Sequence, residues 1–257
     1  MESHTLEFSV NMSCGSCAET IKRSLQANGK VDLVSLDVAK QLVVVKSNLN
    51  SFEVKDILES SGKKAALIGS GKLGAAVAEI TGKSAKGVIR LSQLSEDKCL
   101  VEGIVDGLAP GRHGLNIHEY GDLSDGCNSC GDHFNPGGLR HGARTDPVRH
   151  YGDLGNIEAD SEGRANFRFV DEMVKVWDVI GRSMVVHASG DDLGKGEDAK
   201  SKVTGNSGLG VACAIIARSS GLFQNSKRLC TCDGVSVWDE RNVPVVGQAR
   251  QQFAQKL

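Results

Sequence analysis

The 257-residue sequence predicts an α+β protein built from two folded parts of different texture. Over residues 1–70 the apolar positions recur with a period that switches between two and about 3.6, so strands and helices alternate. Over residues 75–217 only short alternating stretches remain, such as KGVIRLSQL and ANFRFVDEMVKVW. Turn signals separate them, the pattern of an antiparallel sandwich or barrel. Two long glycine-rich insertions, 119–155 and 188–210, interrupt this second part, and loops of that length are usually functional.

The elements of the first part follow in order. Leu6, Phe8 and Val10 alternate over residues 5–11 as a half-buried strand. Ala18, Ile21 and Leu25 fall at i, i+3 and i+7, giving a short helix that ends at Asn28 and Gly29. Residues 31–38 and 42–46 read as a β-hairpin. Asn50 with Glu53 three residues on is a capping box. It opens a helix carrying Phe52, Ile57 and Leu58, which Gly62 ends. Residues 65–68 make a last strand. The order βαββαβ is a ferredoxin-like unit. The stretch IGSGKLGAA at 68–76 sets Gly69, Gly71 and Gly74 in a dinucleotide-binding spacing, but no helix follows before TGKSAKG. Ala66 and Leu73 stand where a P-loop requires Gly and Ser/Thr. The stretch therefore reads as a linker. The predicted organisation is 1–70, 71–221, and a flexible polar tail at 222–257.

Composition narrows the function classes. A net charge of −2 leaves no electrostatic footprint for nucleic acid. The opening MESHTLEFSV has no apolar core of a secretory signal. Aliphatic runs such as 42–45 fall far short of the roughly 18 residues of a membrane span, so no stable membrane insertion is expected. The expected compartment is cytoplasmic. There the eight cysteines stay reduced, bind metal or do redox chemistry rather than build a disulfide framework.

The first insertion contains His133, His141, His150 and Asp153. Three imidazoles and a carboxylate suit tetrahedral zinc, and their spacings let one loop wrap an ion. GRHGLNIHEYGDLSDGCNSCGDHFNPGGLRHG and RHYGDLGNIEAD resemble Cu/Zn superoxide dismutases, as do VIGRSMVVHASGDDLGKG and TGNSGLGVACAIIA. The resemblance covers roughly residues 75–217. It implies an eight-stranded Greek-key β-barrel and zinc at His133, His141, His150 and Asp153. It also implies an orienting role for Asp191 and a disulfide between Cys127 and Cys213.

The sequence departs from those enzymes where their chemistry is done. Asn116 stands where they have a first copper-ligating histidine, with His118 two residues on and on the same face of a strand. His118, His133 and His187 remain as a three-imidazole remnant of the copper site. Gly210 stands where the enzymes carry the arginine that guides superoxide. Efficient dismutation is not expected.

Two thiol pairs flank this barrel. Cys14 and Cys17 follow Met12 in NMSCGSC, and two thiolates alone suit Cu(I). Cys17 falls at a predicted helix N-terminus, where the dipole lowers a thiol pKa. MxCxxC in a βαββαβ unit resembles the heavy-metal-associated domain over about residues 5–70. A thioredoxin-like redox pair is the rival, without its usual Trp and Pro neighbours. Met12 reads as an apolar plug. Cys230 and Cys232, two apart in RLCTCDG, can share one face and meet one Cu(I) or attack a disulfide in turn. Cys99 and His4 read as ordinary strand residues, and Cys130 has no assignment.

The three parts in this order resemble the copper chaperones for superoxide dismutase. The resemblance implies Cu(I) and Zn(II) as bound metals and a copper donor as one partner. It implies a heterodimer with Cu/Zn superoxide dismutase through the barrel, and a homodimer when alone. The competing readings are an active superoxide dismutase with an added metal-binding domain, and a passive copper buffer.

Overall fold

A computed structural model describes residues 3–225, so Cys230 and Cys232 lie outside the described residues. The chain divides into two compact units. Among the described residues, one runs to Gly71 and takes in residues 220–225; the other is Lys72–Ser219.

The first unit is built from β1 (His4–Val10), α1 (Gly15–Asn28), β2 (Val31–Asp37), β3 (Leu42–Ser47), α2 (Ser51–Glu59) and β4 (Ala65–Ser70). Its antiparallel sheet has the order β2-β3-β1-β4. Alternate residues Leu6, Phe8 and Val10 of β1 and Val43 and Val45 of β3 pack against Ile21 and Leu25 of α1 and Val54 and Leu58 of α2. Each such side chain contributes about 1.5–3 kcal/mol on burial. The end of α1 and the start of α2 match the sequence reading, while α2 stops at Glu59 with Ser60 as its C-cap, before the expected Gly62. Gly29, at φ 65°, terminates α1 in the left-handed region. Asn50 and Glu53 form the reciprocal capping box of α2.

The second unit contains β5 (Gly74–Gly82), β6 (Lys86–Ser95), β7 (Lys98–Asp106), β8 (Gly111–His118), β9 (Asp153–Ala159), β10 (Ala165–Asp171), α3 (Val176–Val179), β11 (Ser183–His187), α4 (Ser201–Thr204), β12 (Gly210–Ile215) and β13 (Ala217–Ser219). The order β5-β6-β7-β10-β9-β8-β11-β12 closes by antiparallel pairing of β12 and β13 with β5. β12 and β13 are one barrel strand interrupted at Ile216, whose backbone bonds to Gly181 and Arg182. The result is a closed eight-stranded antiparallel barrel with Greek-key crossovers, since β7 leads to β8 and β10 to β11 across non-neighbouring strands. The interior is lined at alternate positions, as by Ile89 and Leu91, Leu115 and Ile117, and Met184 and Val186.

The expected linker is shorter than the sequence suggested. Ser70 still belongs to β4 and Gly74 already to β5. No helix among the described residues is long and apolar enough to cross a membrane.

Candidate metal centres

The first centre lies on the loop between β1 and α1. Met12, 1% exposed, is the plug that the sequence suggested, and it pulls the loop onto the core. Gln41, in the β2–β3 turn at φ 52°, braces the loop from the side. Its carbonyl accepts from Val10 N, and its Nε2 donates to Met12 O at 3.1 Å. Cys14 caps α1 and is exposed; Cys17, one turn in, is buried. Their sulfurs lie 3.4 Å apart. A backbone hydrogen bond at Ser13, with contacts to Cys14 and the Ser13 hydroxyl, lowers the Cys17 pKa to about 6. The Ser16 hydroxyl, 3.0 Å away, lowers that of Cys14. Two adjacent low-pKa sulfurs at a helix N-terminus, one facing solvent, can take and release a soft monovalent ion.

The second centre is inside the long β8–β9 insertion. His133, His141, His150 and Asp153 come together, all buried, with one ligand atom from each within 4.8 Å of the others. Three Nδ1 atoms converge on Asp153 Oδ1, at 2.8 Å from His133, 3.0 Å from His141 and 3.2 Å from His150. The other carboxylate oxygen is held by the amides of Gly142 and His150. Burial alone would raise the Asp153 pKa; contacts from the three imidazoles outweigh it and hold the carboxyl well below its usual range.

This set fits zinc on its own geometry. His141 Nδ1 and His150 Nδ1 are buried and face Asp153 Oδ1 at 3.0 and 3.2 Å without hydrogen-bond geometry to it, as lone pairs aimed with the carboxylate at one shared spot would. Asp191 Oδ1 lies 2.8 Å from His141 Nε2 and fixes that ring. Gly205, at φ 61°, must lack a side chain there, because a Cβ would overlap both Asp191 and His141. Arg149, 1% exposed, donates to the carbonyls of His150 and Asp153 and pairs with Asp171 at 2.6 Å. It ties the ligand loop to the barrel wall.

The third centre shares His133. His118, His133 and His187 form a buried trio. His118 Nδ1 donates to Gly131 O and His187 Nδ1 to Gly208 O, which turns their Nε2 atoms to within 3.2 Å of each other. Burial lowers the His118 pKa to about 3 and that of His187 to about 4, so both are neutral at physiological pH. His133 Nε2 has no partner. Asn116 is fully buried; its Nδ2 is 3.4 Å from His133 Nδ1, and its Oδ1 has no partner. In front of the trio lies a cleft of about 730 Å³. Val203 and Leu209, 55% and 77% exposed, form part of its rim.

Cys127, Cys130 and Cys213 cluster around Val185, and the structure holds them as thiols. Burial, with the Cys127 thiol alongside, pushes Cys213 up to about 12. Gly210 stands over this cluster: a Cβ there would come 2.5 Å from Cys127 Cβ. His4 and Cys99 sit in β1 and β7 as ordinary strand residues.

Known proteins align with both units. The heavy-metal-associated domain matches residues 7–64, and copper/zinc superoxide dismutase matches residues 85–216. The human copper chaperone for superoxide dismutase is 51% identical over 257 residues, covering 98% of this chain and 94% of that protein. The chain belongs to the copper chaperones for superoxide dismutase. A Cu-Zn superoxide dismutase of Onchocerca volvulus is 50% identical over 149 residues, 55% of this chain and 94% of its own. The crystal structure of the clock protein EA4 matches with a TM-score of 0.55 and 39% identity, over 56% of this chain and 94% of that one. In this copper chaperone three supporting residues carry no sequence signal as functional: Gln41, Arg149 and Gly205. Each acts through a long-range contact, with Met12, Asp171 and Asp191 respectively.

Proposed function

We propose that the chain takes Cu(I) from a copper donor at Cys14 and Cys17 and delivers it to Cu/Zn superoxide dismutase in the cytoplasm. The observation that carries this reading is the 3.4 Å sulfur pair, with Cys14 exposed and both thiols lowered in pKa. Ligand exchange at an exposed thiolate pair moves the ion without releasing it.

The barrel serves as a docking module and performs no efficient dismutation. Asn116 offers an amide in place of an imidazole, and Gly210 offers no cation to steer an anion. His118, His133 and His187 are a remnant copper site. His133, His141, His150 and Asp153 would hold Zn(II), which supplies a structural cross-link of the insertion when bound. A Cys127–Cys213 disulfide would tie the same insertion to β12.

The contact with the barrel of the target or, in its absence, of a second copy is assigned to the barrel surface, where the apolar side chains Tyr120, Ile180 and Ile215 are 54%, 39% and 44% exposed.

Cys230 and Cys232 carry copper across and exchange with the target's thiols. A target thiolate attacks the Cys230–Cys232 disulfide to give a mixed disulfide; the second target thiolate displaces the tail sulfur. Two electrons and two protons pass from the target thiols to the tail, which becomes a dithiol, and dioxygen regenerates the tail disulfide by taking both to form hydrogen peroxide.

The test adds the Cu(I)-loaded chain to reduced, copper-free Cu/Zn superoxide dismutase and follows activity. Activation by the wild type and none by Cys230→Ser/Cys232→Ser is expected. Equal activation by an equimolar free Cu(I) complex and by the loaded chain would count against delivery.

A further inference from the structure

Glu7 is a carboxylate in the middle of β1, 3% exposed, on the sheet face opposite the core residues Leu6 and Phe8. Neither the fold nor the metal centres require an acid there. Its Oε2 accepts the backbone N–H of Phe223 at 2.6 Å. Opposite Glu7 in the sheet register is Gly69 of β4. A Cβ on Gly69 would come 2.7 Å from Glu7 Oε2 and 2.8 Å from the Gly221 carbonyl. The absent side chain leaves the groove in which residues 221–222 lie.

Two backbone bonds fasten the same segment: Ser70 N to Ser220 O at 3.4 Å and Leu222 N to Gly71 O at 3.2 Å. Gln224 folds back on Gly221. Phe223 sits at φ 61°, a conformation a non-glycine residue holds only when its surroundings fix it.

We propose that Glu7 and Gly69 form a seat that anchors the root of the C-terminal segment on the first unit, keeping Cys230 and Cys232 within a short tether of Cys14 and Cys17. This rests on the copper-transfer reading above. The path from Phe223 to Cys230 is seven residues, as is that from Glu7 to Cys14, and neither can exceed about 25 Å. A tether of that length makes handoff between the pairs intramolecular, at an effective concentration on the order of millimolar. Glu7 is thus a positioning residue for copper transfer. Gly69, part of the glycine spacing that failed as a nucleotide fingerprint, gains a role as the floor of the seat.

The test uses the full chain with Glu7→Ala, Gly69→Val and Glu7→Gln. Hydrogen exchange at the Phe223 amide should accelerate about tenfold to a hundredfold in the first two. Glu7→Gln keeps an acceptor oxygen and should retain most of the protection. Core amides of β1 and β3 report whether each variant folds. In parallel, a short bismaleimide applied to the metal-free chain should link Cys14 to the tail cysteines in the wild type and in Glu7→Gln, and several-fold less in the other two. Cu(I) affinity of the first pair should be the same in all four. Unchanged exchange at Phe223 in both Glu7→Ala and Gly69→Val would overturn the seat. Faster exchange with undiminished cross-linking would overturn its positioning role. Neither readout uses the target enzyme, so a failure of delivery to superoxide dismutase is scored separately.

Discussion

Arg149 and Asp171 form a 2.6 Å ion pair with both side chains almost fully buried. The pair joins the zinc-type ligand loop to the end of β10 through the carbonyls of His150 and Asp153. Arg149→Met leaves a buried carboxylate without its cation and should cost about 3–5 kcal/mol. Arg149→Met/Asp171→Leu should recover much of that stability in denaturant titrations, yet still bind zinc more weakly, because the loop carbonyls stay unheld. Wild-type zinc affinity in the double variant would rule out the loop-bracing role.

Purified protein should carry about one zinc per chain, and His141→Ala should lose it. The accompanying fall in Tm is expected to be on the order of 10 °C, since a tightly bound ligand of the native state contributes a few kcal/mol. Metal analysis and calorimetry on the same sample decide this. Retention of full zinc by His141→Ala would dismiss the assignment.

The thiol of Cys17, lowered to about 6, should be alkylated as a thiolate in the metal-free protein. Its depressed pKa means the proton is lost as pH rises through 6 and regained below it. Alkylation should therefore rise about tenfold per unit up to pH 6 and level off above, whereas an unperturbed thiol keeps climbing to about 8.5. Cys99, whose pKa burial raises, should stay unreactive in the folded chain. The profile is read by mass spectrometry of each tryptic peptide.

Dismutase turnover should stay near background with copper supplied. Asn116→His/Gly210→Arg should raise it more than either change alone, with the steering cation contributing about 10- to 1,000-fold in on-rate. Gly210→Arg by itself should lower stability, because the new Cβ displaces Cys127. Turnover of the unmodified chain matching a true dismutase would contradict this.

The two thiol pairs should fail differently in a copper titration. Cys14→Ser/Cys17→Ser should activate the target poorly at scarce copper and recover as copper rises. Cys230→Ser/Cys232→Ser should fail at every copper level, because metal by mass action does not replace disulfide exchange. Complex formation should survive in both. Full recovery of the tail variant at high copper would reverse these roles.

The elements of the first unit were legible because each carries a local signal: the 3.6 period of Ala18, Ile21 and Leu25, the Asn50–Glu53 box, the αL stop at Gly29. The zinc-type ligands were legible because all four lie within 21 residues of one loop. Closure of the barrel by β12 on β5 was carried by the resemblance, since no local pattern pairs Cys213 with Thr81. The supports of the sites stayed hidden for the same reason. Arg149 looks like any loop arginine until Asp171, 22 residues on, is folded against it. Glu7 reads as the solvent side of an alternating strand, yet a segment 216 residues away lies against it.

The bulge at Val34 has a consequence for solubility. β2 is the outer strand of its sheet, and its register with β3 slips between Leu33 and Ser35, throwing Val34 outward at 58% exposure. A smooth edge strand is a template on which another copy can add, and from there fibrils grow. The slip twists this edge and breaks its hydrogen-bonding row, while Asp32 and Asp37 set like charges along it. An edge built this way is kept from zippering onto other copies of itself.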